Sequence, residues 1–369
     1  MKSLKLTFIC NSPRVPAGVE KTMLLLLEAL PRHQIECSFI LNGEGPFTEI
    51  LRSKGAQIRV LPCSGRWSPS WHKQLLATLD KLSPDIVQLH LSRINAWALK
   101  RDRPSLPICE RLNMTRHSSG FYPLQWAWLD RFTSRWIDAF IVVSASLKQD
   151  FLDRGYDPTK LSVIHNGVSV EQQTPADLRK ELGLTANTVL IGTAGRLVPQ
   201  KGIDTLLHAF SMLAPLRPEL HLLIAGDGDQ AAELRALSKT LPGFERVHFC
   251  GFRQDAPAFI GGLDIFVYLS RWEPFANTVL EAMAMGTPIV ATSVGGNAEA
   301  LGTDCGLQVP PNDPSAAVAA VGLLLDDQRL VVRLKDNARE RIRLYSVENM
   351  VAAHARFYTI NKKEPRESD

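Results

Sequence analysis

No Cys-x-x-Cys pair occurs in the 369 residues; the six cysteines stand scattered at Cys10, Cys37, Cys63, Cys109, Cys250 and Cys305. That spacing excludes the common zinc frameworks. Several of the six fall in apolar, strand-like runs, so they read as buried free thiols rather than disulfides. No apolar run approaches the ~20 residues needed to span a bilayer. No signal peptide is visible either: Met1-Lys2-Ser3-Leu4-Lys5 leads into Leu6-Thr7-Phe8-Ile9-Cys10, too short for a signal core and patterned like a first strand. There are no internal repeats and no low-complexity tracts. The nearest approach to a GxGxxG loop, Ala225-Gly226-Asp227-Gly228-Asp229, is out of register and carries two acids where a phosphate would be repelled. These absences point to a reducing cytoplasm, with peripheral attachment to the inner face of the cytoplasmic membrane left open.

What is present suits a soluble enzyme of two domains. Hydrophobic residues make up 45% and charged residues 22% of the chain, and its length exceeds one ordinary domain. The net charge of +4 hides an asymmetry. Residues 1–165 hold 22 Lys+Arg against 14 Asp+Glu, or +8; the remainder holds 20 against 24, or −4. A basic half favours an anionic partner such as a membrane surface or a phosphorylated glycan, or it is an ordinary spread of charge. Nothing calls for nucleic acid.

Strand-like runs alternate with helical ones throughout. Candidate strands are 6–10, 35–41, 58–61, 86–90, 140–143 and 162–164, then 189–194, 221–225, 247–249, 265–269 and 288–291. Short, nearly continuous apolar strands between helices indicate buried parallel sheets. The turn His165-Asn166-Gly167-Val168 and the polar stretch to Pro175 mark a boundary. The expected architecture is therefore α/β: two doubly wound, Rossmann-like domains, 1–165 and 166–345, facing across a central cleft with ligands at the carboxyl ends of the strands.

The most telling segment runs from Arg271 to Gly286 and holds two glutamates. Glu273 precedes Pro274, which places it in loop or extended chain, while Glu281 lies in a helix stopped by Gly286 and Pro288. The backbone N–H groups near Asn277 and Thr278 can hold phosphate, and the carboxylates can accept from hydroxyls. Phosphate beside vicinal hydroxyls describes a sugar nucleotide. The strand 189–194 runs into Gly195-Arg196-Leu197-Val198-Pro199-Gln200-Lys201-Gly202, whose two cations suit a diphosphate or are incidental charges on a solvated loop. Phe252, after the strand 247–249, could present a ring to a base or mark a plain turn. In the first half, the loop 11–20 with Gly18 is a second anion seat or a surface loop, and His90 ends a strand where site residues belong. Residues Phe121 to Trp136 concentrate three of seven tryptophans with two arginines, which fits either a lipid interface or a packed core.

Together these segments resemble the retaining family-4 glycosyltransferases of the GT-B fold, most closely over residues 160–310. The likeness is carried by Asn166-Gly167-Val168, Gly195-Arg196 with Lys201-Gly202, Glu273-x7-Glu281, Thr287-Pro288-Ile289-Val290-Ala291-Thr292 and Gly295-Gly296-Asn297-Ala298-Glu299. Tyr345-Ser346-Val347-Glu348-Asn349-Met350 resembles the start of the family's last helix, which implies that about 346–361 crosses back to the first domain. The resemblance implies transfer of a hexosyl group, with retention, from a nucleoside-diphosphate sugar, commonly UDP-linked. Its acceptor would be a saccharide or lipid-linked saccharide of lipopolysaccharide or another surface polysaccharide. Arg196 and Lys201 would bind the diphosphate and Glu281 the ribose. Glu273, with the backbone of Phe275, Ala276, Asn277 and Thr278, would engage the sugar and distal phosphate. From the residue reading alone, Gly18, His90 and Phe252 are further candidates for the site, and no cofactor or metal is expected. Two features depart from the family pattern. Ala17-Gly18 stands where paired glycines are usual, and the histidine expected after the strand 108–111 is absent, so Arg111, Asn113 or His117 would take its place. The rival readings are a nucleotide-sugar epimerase or related GT-B enzyme, which would turn over donor alone, and a non-catalytic glycan- or lipid-binding relative.

Overall fold

Runs such as Ile86-Val87-Gln88-Leu89-His90, buried at every position, need apolar layers on both faces. Parallel strands flanked by helices provide them. The computed structural model describes residues 3–10, 18–62, 68–90, 93–112, 132–169 and 173–362. The chain divides into two units: Met1–Gly167 with Val347–Asp369, and Val168–Ser346.

The first unit carries seven strands: β1 (Leu4–Cys10), β2 (Ile35–Leu41), β3 (Gln57–Val60), β4 (Ile86–His90), β5 (Ile108–Leu112), β6 (Ala139–Val142) and β7 (Leu161–Val163). All pair in parallel in the order β3-β2-β1-β4-β5-β6-β7. Its core stacks Phe8 on Phe39, with ring centroids 5.0 Å apart, and adds Leu26 and Phe47. The final helix, Val347–Asn361, belongs to this core through Met350, Val351 and Tyr358.

The second unit repeats the plan with β8 (Val189–Ala194), β9 (Leu220–Ala225), β10 (Val247–Gly251), β11 (Ile265–Tyr268), β12 (Ile289–Thr292) and β13 (Leu307–Val309), ordered β10-β9-β8-β11-β12-β13. Ile191, Leu222 and Val267 from the sheet pack against Leu206 and Phe210 of the helix Ile203–Leu213. Two strands, β5 and β13, lie outside the eleven candidate runs. Each has a reason: β5 buries Glu110 and Arg111 in mid-strand, and β13 is three residues long with Gln308 at its centre.

Candidate functional site

In the second unit the sheet order reverses between β8 and β11. From there β9 and β10 extend one way and β12 and β13 the other, which opens a crevice beyond the strands' carboxyl ends. The local sequence brings two loops together there. After β8 a short 3₁₀ turn, Pro199–Lys201, ends at Gly202, whose φ of 60° is left-handed. A Cβ on Gly202 would lie 2.2 Å from the Leu269 carbonyl oxygen, so only glycine lets the loop press against the end of β11. Arg271 fastens the contact. Its guanidinium donates to the Pro199 carbonyl (2.5 Å), the Asp204 carboxylate (2.6 Å) and Asn312 Oδ1 (2.7 Å), while its backbone N–H donates to the Gln200 carbonyl (2.8 Å). On the other side the Glu273 carbonyl accepts from the Gly296 N–H at 3.0 Å. Gly295, with φ of 50°, makes room, since a Cβ there would meet that carbonyl oxygen at 2.0 Å.

These constraints set Lys201 against Glu273. Lys201 Nζ lies 2.5 Å from Glu273 Oε2 and 2.5 Å from the Tyr268 hydroxyl. The Tyr268 hydroxyl donates to the same Oε2 at 2.8 Å. Ser270 Oγ and Gln200 Nε2 approach that oxygen at 3.4 and 3.5 Å. All these contacts fall on Oε2, so Oε1 takes no part in the network. The side chains of Lys201 and Glu273 are 12% and 9% exposed. Burial disfavours the ammonium, but Tyr268 and Glu273 outweigh it and hold the lysine charged to a pH above its ordinary range. Burial and the Glu273 charge push the Tyr268 phenol up in turn.

Beyond Glu273, the helix Asn277–Met285 starts at Ala276, which supplies no side-chain cap. An uncapped helix start of this kind attracts anions. Phe275 and Ala276 are buried, with the Phe275 ring 5.4 Å from that of Tyr345, so they offer main chain rather than side chain. Asn277 and Thr278 are half-buried in the first turn, and Glu281 lies half-buried one turn on. Arg196 is exposed on its loop and makes no side-chain hydrogen bond or ion pair with the described residues. Phe252, past the edge strand β10, is 68% exposed.

In the first unit His90 ends β4 but is buried within a polar cluster. Gln88 Nε2 donates to His90 Nε2 (2.8 Å), and the Tyr358 hydroxyl donates to Gln88 Oε1 (2.5 Å). Arg111, on β5, donates to Asn166 Oδ1 (2.6 Å) and His354 Nε2 (3.3 Å), and His354 Nδ1 donates to the Met350 carbonyl (2.9 Å). Burial, with Arg111 beside it, lowers His90 to about 3, so its imidazole is neutral near pH 7. Burial also lowers Arg111 to about 10. Gly18 is the exposed first residue of the helix Gly18–Ala29. Residues 11–17, Asn113, His117 and the aromatic segment up to Arg131 lie outside the described residues.

Tyr268, Ser270, Gln200 and Arg271 are the members of this arrangement that sequence reasoning did not single out. A hydroxyl closing the apolar run Ile265-Phe266-Val267-Tyr268 was the available signal.

A family model described as "Glycosyltransferase Family 4" matches residues 16–172, and one described as "Glycosyl transferases group 1" matches residues 176–341. The chain is 28% identical over 347 residues to the UDP-Gal:alpha-D-GlcNAc-diphosphoundecaprenol alpha-1,3-galactosyltransferase of Escherichia coli, covering 88% of this chain and 89% of that protein. It is 29% identical over 333 residues to the lipopolysaccharide core biosynthesis glycosyltransferase LpsE of Rhizobium meliloti (strain 1021), covering 88% and 90%. Among solved structures it is similar to Anabaena HepE in complex with UDP and glucose (TM-score 0.83, 22% identity, 96% of this chain and 99% of that one). It is also similar to WaaG, a glycosyltransferase involved in lipopolysaccharide biosynthesis (TM-score 0.73, 16% identity, 95% and 99%). At these identities the two structures speak to the fold alone.

Proposed function

Since the chain belongs to the GT-B glycosyltransferases that join a family 4 domain to a group 1 domain, we propose that it moves a hexosyl group, with retention, from a UDP-sugar to a saccharide acceptor of lipopolysaccharide or another surface polysaccharide. One observation carries the reading: the buried Lys201–Glu273 pair at the crevice of the second sheet, beside the uncapped start of the helix Asn277–Met285. The acceptor class is supported by the relatives, one acting on a diphosphoundecaprenol-linked sugar and one in lipopolysaccharide core biosynthesis. UDP as the carrier is supported by the donor of the galactosyltransferase relative.

The barrier to transfer is departure of the nucleoside diphosphate. Lys201, the exposed Arg196 and the N–H groups at Asn277 and Thr278 stabilise the charge that develops on it. These groups supply positive charge without calling on a metal. Glu281 takes the ribose hydroxyls. Glu273, through Oε1, takes hydroxyls of the transferred sugar, with the main chain from Phe275 to Thr278 on the distal phosphate. Phe252 stacks on the base. Neither carboxylate needs to act as nucleophile, because the departing phosphate oxygen can accept the acceptor's proton as the new bond forms on the same face. Gly18 lies on the unit assigned to the acceptor. His90, neutral and buried, serves that unit by position rather than by proton transfer. An anionic membrane surface would suit the basic first unit and a lipid-linked acceptor.

A melting panel with UDP-, GDP- and ADP-sugars tests the donor assignment. A ligand at 100 times its Kd stabilises the folded state by about 2.7 kcal/mol. UDP-sugars should raise the melting temperature and release UDP only when a saccharide acceptor is added. Turnover of the sugar in the absence of acceptor would replace this reading with an epimerase. No shift with any nucleotide sugar would sink it.

A further inference from the structure

We infer that Tyr268 is a positioning residue of the donor site, its phenol oxygen holding Lys201 and Glu273 so that one ammonium N–H and one carboxylate oxygen stay uncommitted. The inference rests on the nucleotide-sugar reading above and assigns the residue that makes the pair usable.

Hydrogen-bonding capacity sets what the pair can still offer. An ammonium has three donors. Lys201 spends one on the Tyr268 oxygen and one on Glu273 Oε2, which leaves one. The Tyr268 proton goes to Oε2 as well, closing a three-membered ring of bonds on a single carboxylate oxygen. Oε1 is left outside it. Without the phenol, a lysine and a glutamate this close would be free to pair across both oxygens, and each would satisfy the other at the ligand's expense. Tyr268 is suited to hold them apart. It ends β11, is 3% exposed, and its ring stacks on Phe266 with centroids 5.8 Å apart and planes 20° from parallel. The oxygen is therefore fixed by packing rather than by the charges it orders.

Tyr268→Phe removes that single oxygen and keeps the ring and its stack. With UDP-sugar donors, kcat should fall about 10- to 100-fold, the size of one hydrogen bond to a charged partner, with little change in donor KM. The melting temperature should stay within a few degrees of wild type. Wild-type kcat in Tyr268→Phe, or a loss confined to donor KM, overturns the inference. So does a variant that fails to fold, since the oxygen would then be structural. A wild-type protein inactive toward every nucleotide sugar would instead sink the reading beneath it, and the inference with it.

Discussion

Lys201→Met separates what the Lys201–Glu273 pair does for folding from what it does for transfer. The two side chains are 12% and 9% exposed, so removing the ammonium strands a buried carboxylate that still receives the Tyr268 hydroxyl. Breaking a buried pair in this way costs about 3–5 kcal/mol, whereas an exposed pair would cost about 0.2–1 kcal/mol. For a unit the size of Val168–Ser346, about 1 kcal/mol shifts the melting temperature by roughly 2–4 °C, so a fall of roughly 6–20 °C is expected. The double variant Lys201→Met/Glu273→Gln removes both charges, and the amide oxygen can still accept from Tyr268. It should recover most of the lost stability, because the stranded charge rather than the missing contact dominates the penalty. Activity should behave oppositely, with both variants losing about 10²- to 10³-fold in kcat through the missing stabilisation of the leaving diphosphate. Thermal melts and transfer assays on the three proteins decide the matter. If the single variant melts with wild type, or the double variant is no more stable than the single, the pair is not a buried coupled one and the reasoning fails.

Acid should weaken the first unit through its buried histidines. Burial, and then Arg111, lowers His90 and His354 to about 3; the unfolded imidazole titrates near about 6.5. The folded pKa lies below the unfolded one, so this stability is full above about pH 6.5 and is lost as pH falls toward 3, by about 2 kcal/mol per histidine between pH 7 and 5. Urea midpoints should therefore drop less between pH 7 and pH 5 in His90→Gln/His354→Gln than in wild type, and equal drops in the two proteins would refute the assignment. Arg271→Met removes the bonds to Pro199, Asp204 and Asn312 and should cost about 1–3 kcal/mol of stability. It should also lower kcat about tenfold by loosening the loops that carry Lys201 and Glu273; wild-type kcat in a variant shown to be less stable would mean that Arg271 braces the fold without ordering the site.

Most of the fold was legible because parallel sheets write themselves as apolar runs. β1, β2, β4, β8, β9 and β11 are buried at nearly every position, and their length of four to seven residues, shorter than a helix needs, marks such runs as strands. β5 escaped the same rule and was placed only through the family likeness. Glu110 and Arg111 look like surface residues in a sequence, yet both are buried, and Arg111 reaches Asn166 and His354, residues 55 and 243 positions away. A buried charge is recognisable only once its partners are known, and distant partners are what one sequence does not disclose. His90 shows the converse. Its place at the carboxyl end of β4 suggested a site residue, but Gln88 on the same strand and Tyr358 on the last helix enclose it in a polar cluster. Position on a strand was readable, and burial was not.

In the second unit the charges of the donor segment could be named from sequence, but the way they share atoms could not. Glu273 and Lys201 were both candidates, as members of separate loops 72 positions apart. The close contact follows from glycines at Gly202 and Gly295 that admit neighbouring carbonyls where any Cβ would collide. It also needs Arg271, which bonds the loop of one residue to the loop of the other. Four neighbours of Glu273 converge on one oxygen, and that convergence gives the carboxylate two unlike ends. Oε2 is tied to the protein, and Oε1 is outside the network. A glutamate bound symmetrically by lysine would be only an internal salt bridge. One bound through a single oxygen keeps its charge in place and retains an acceptor for a sugar hydroxyl, and that asymmetry is a property of the fold rather than of the motif.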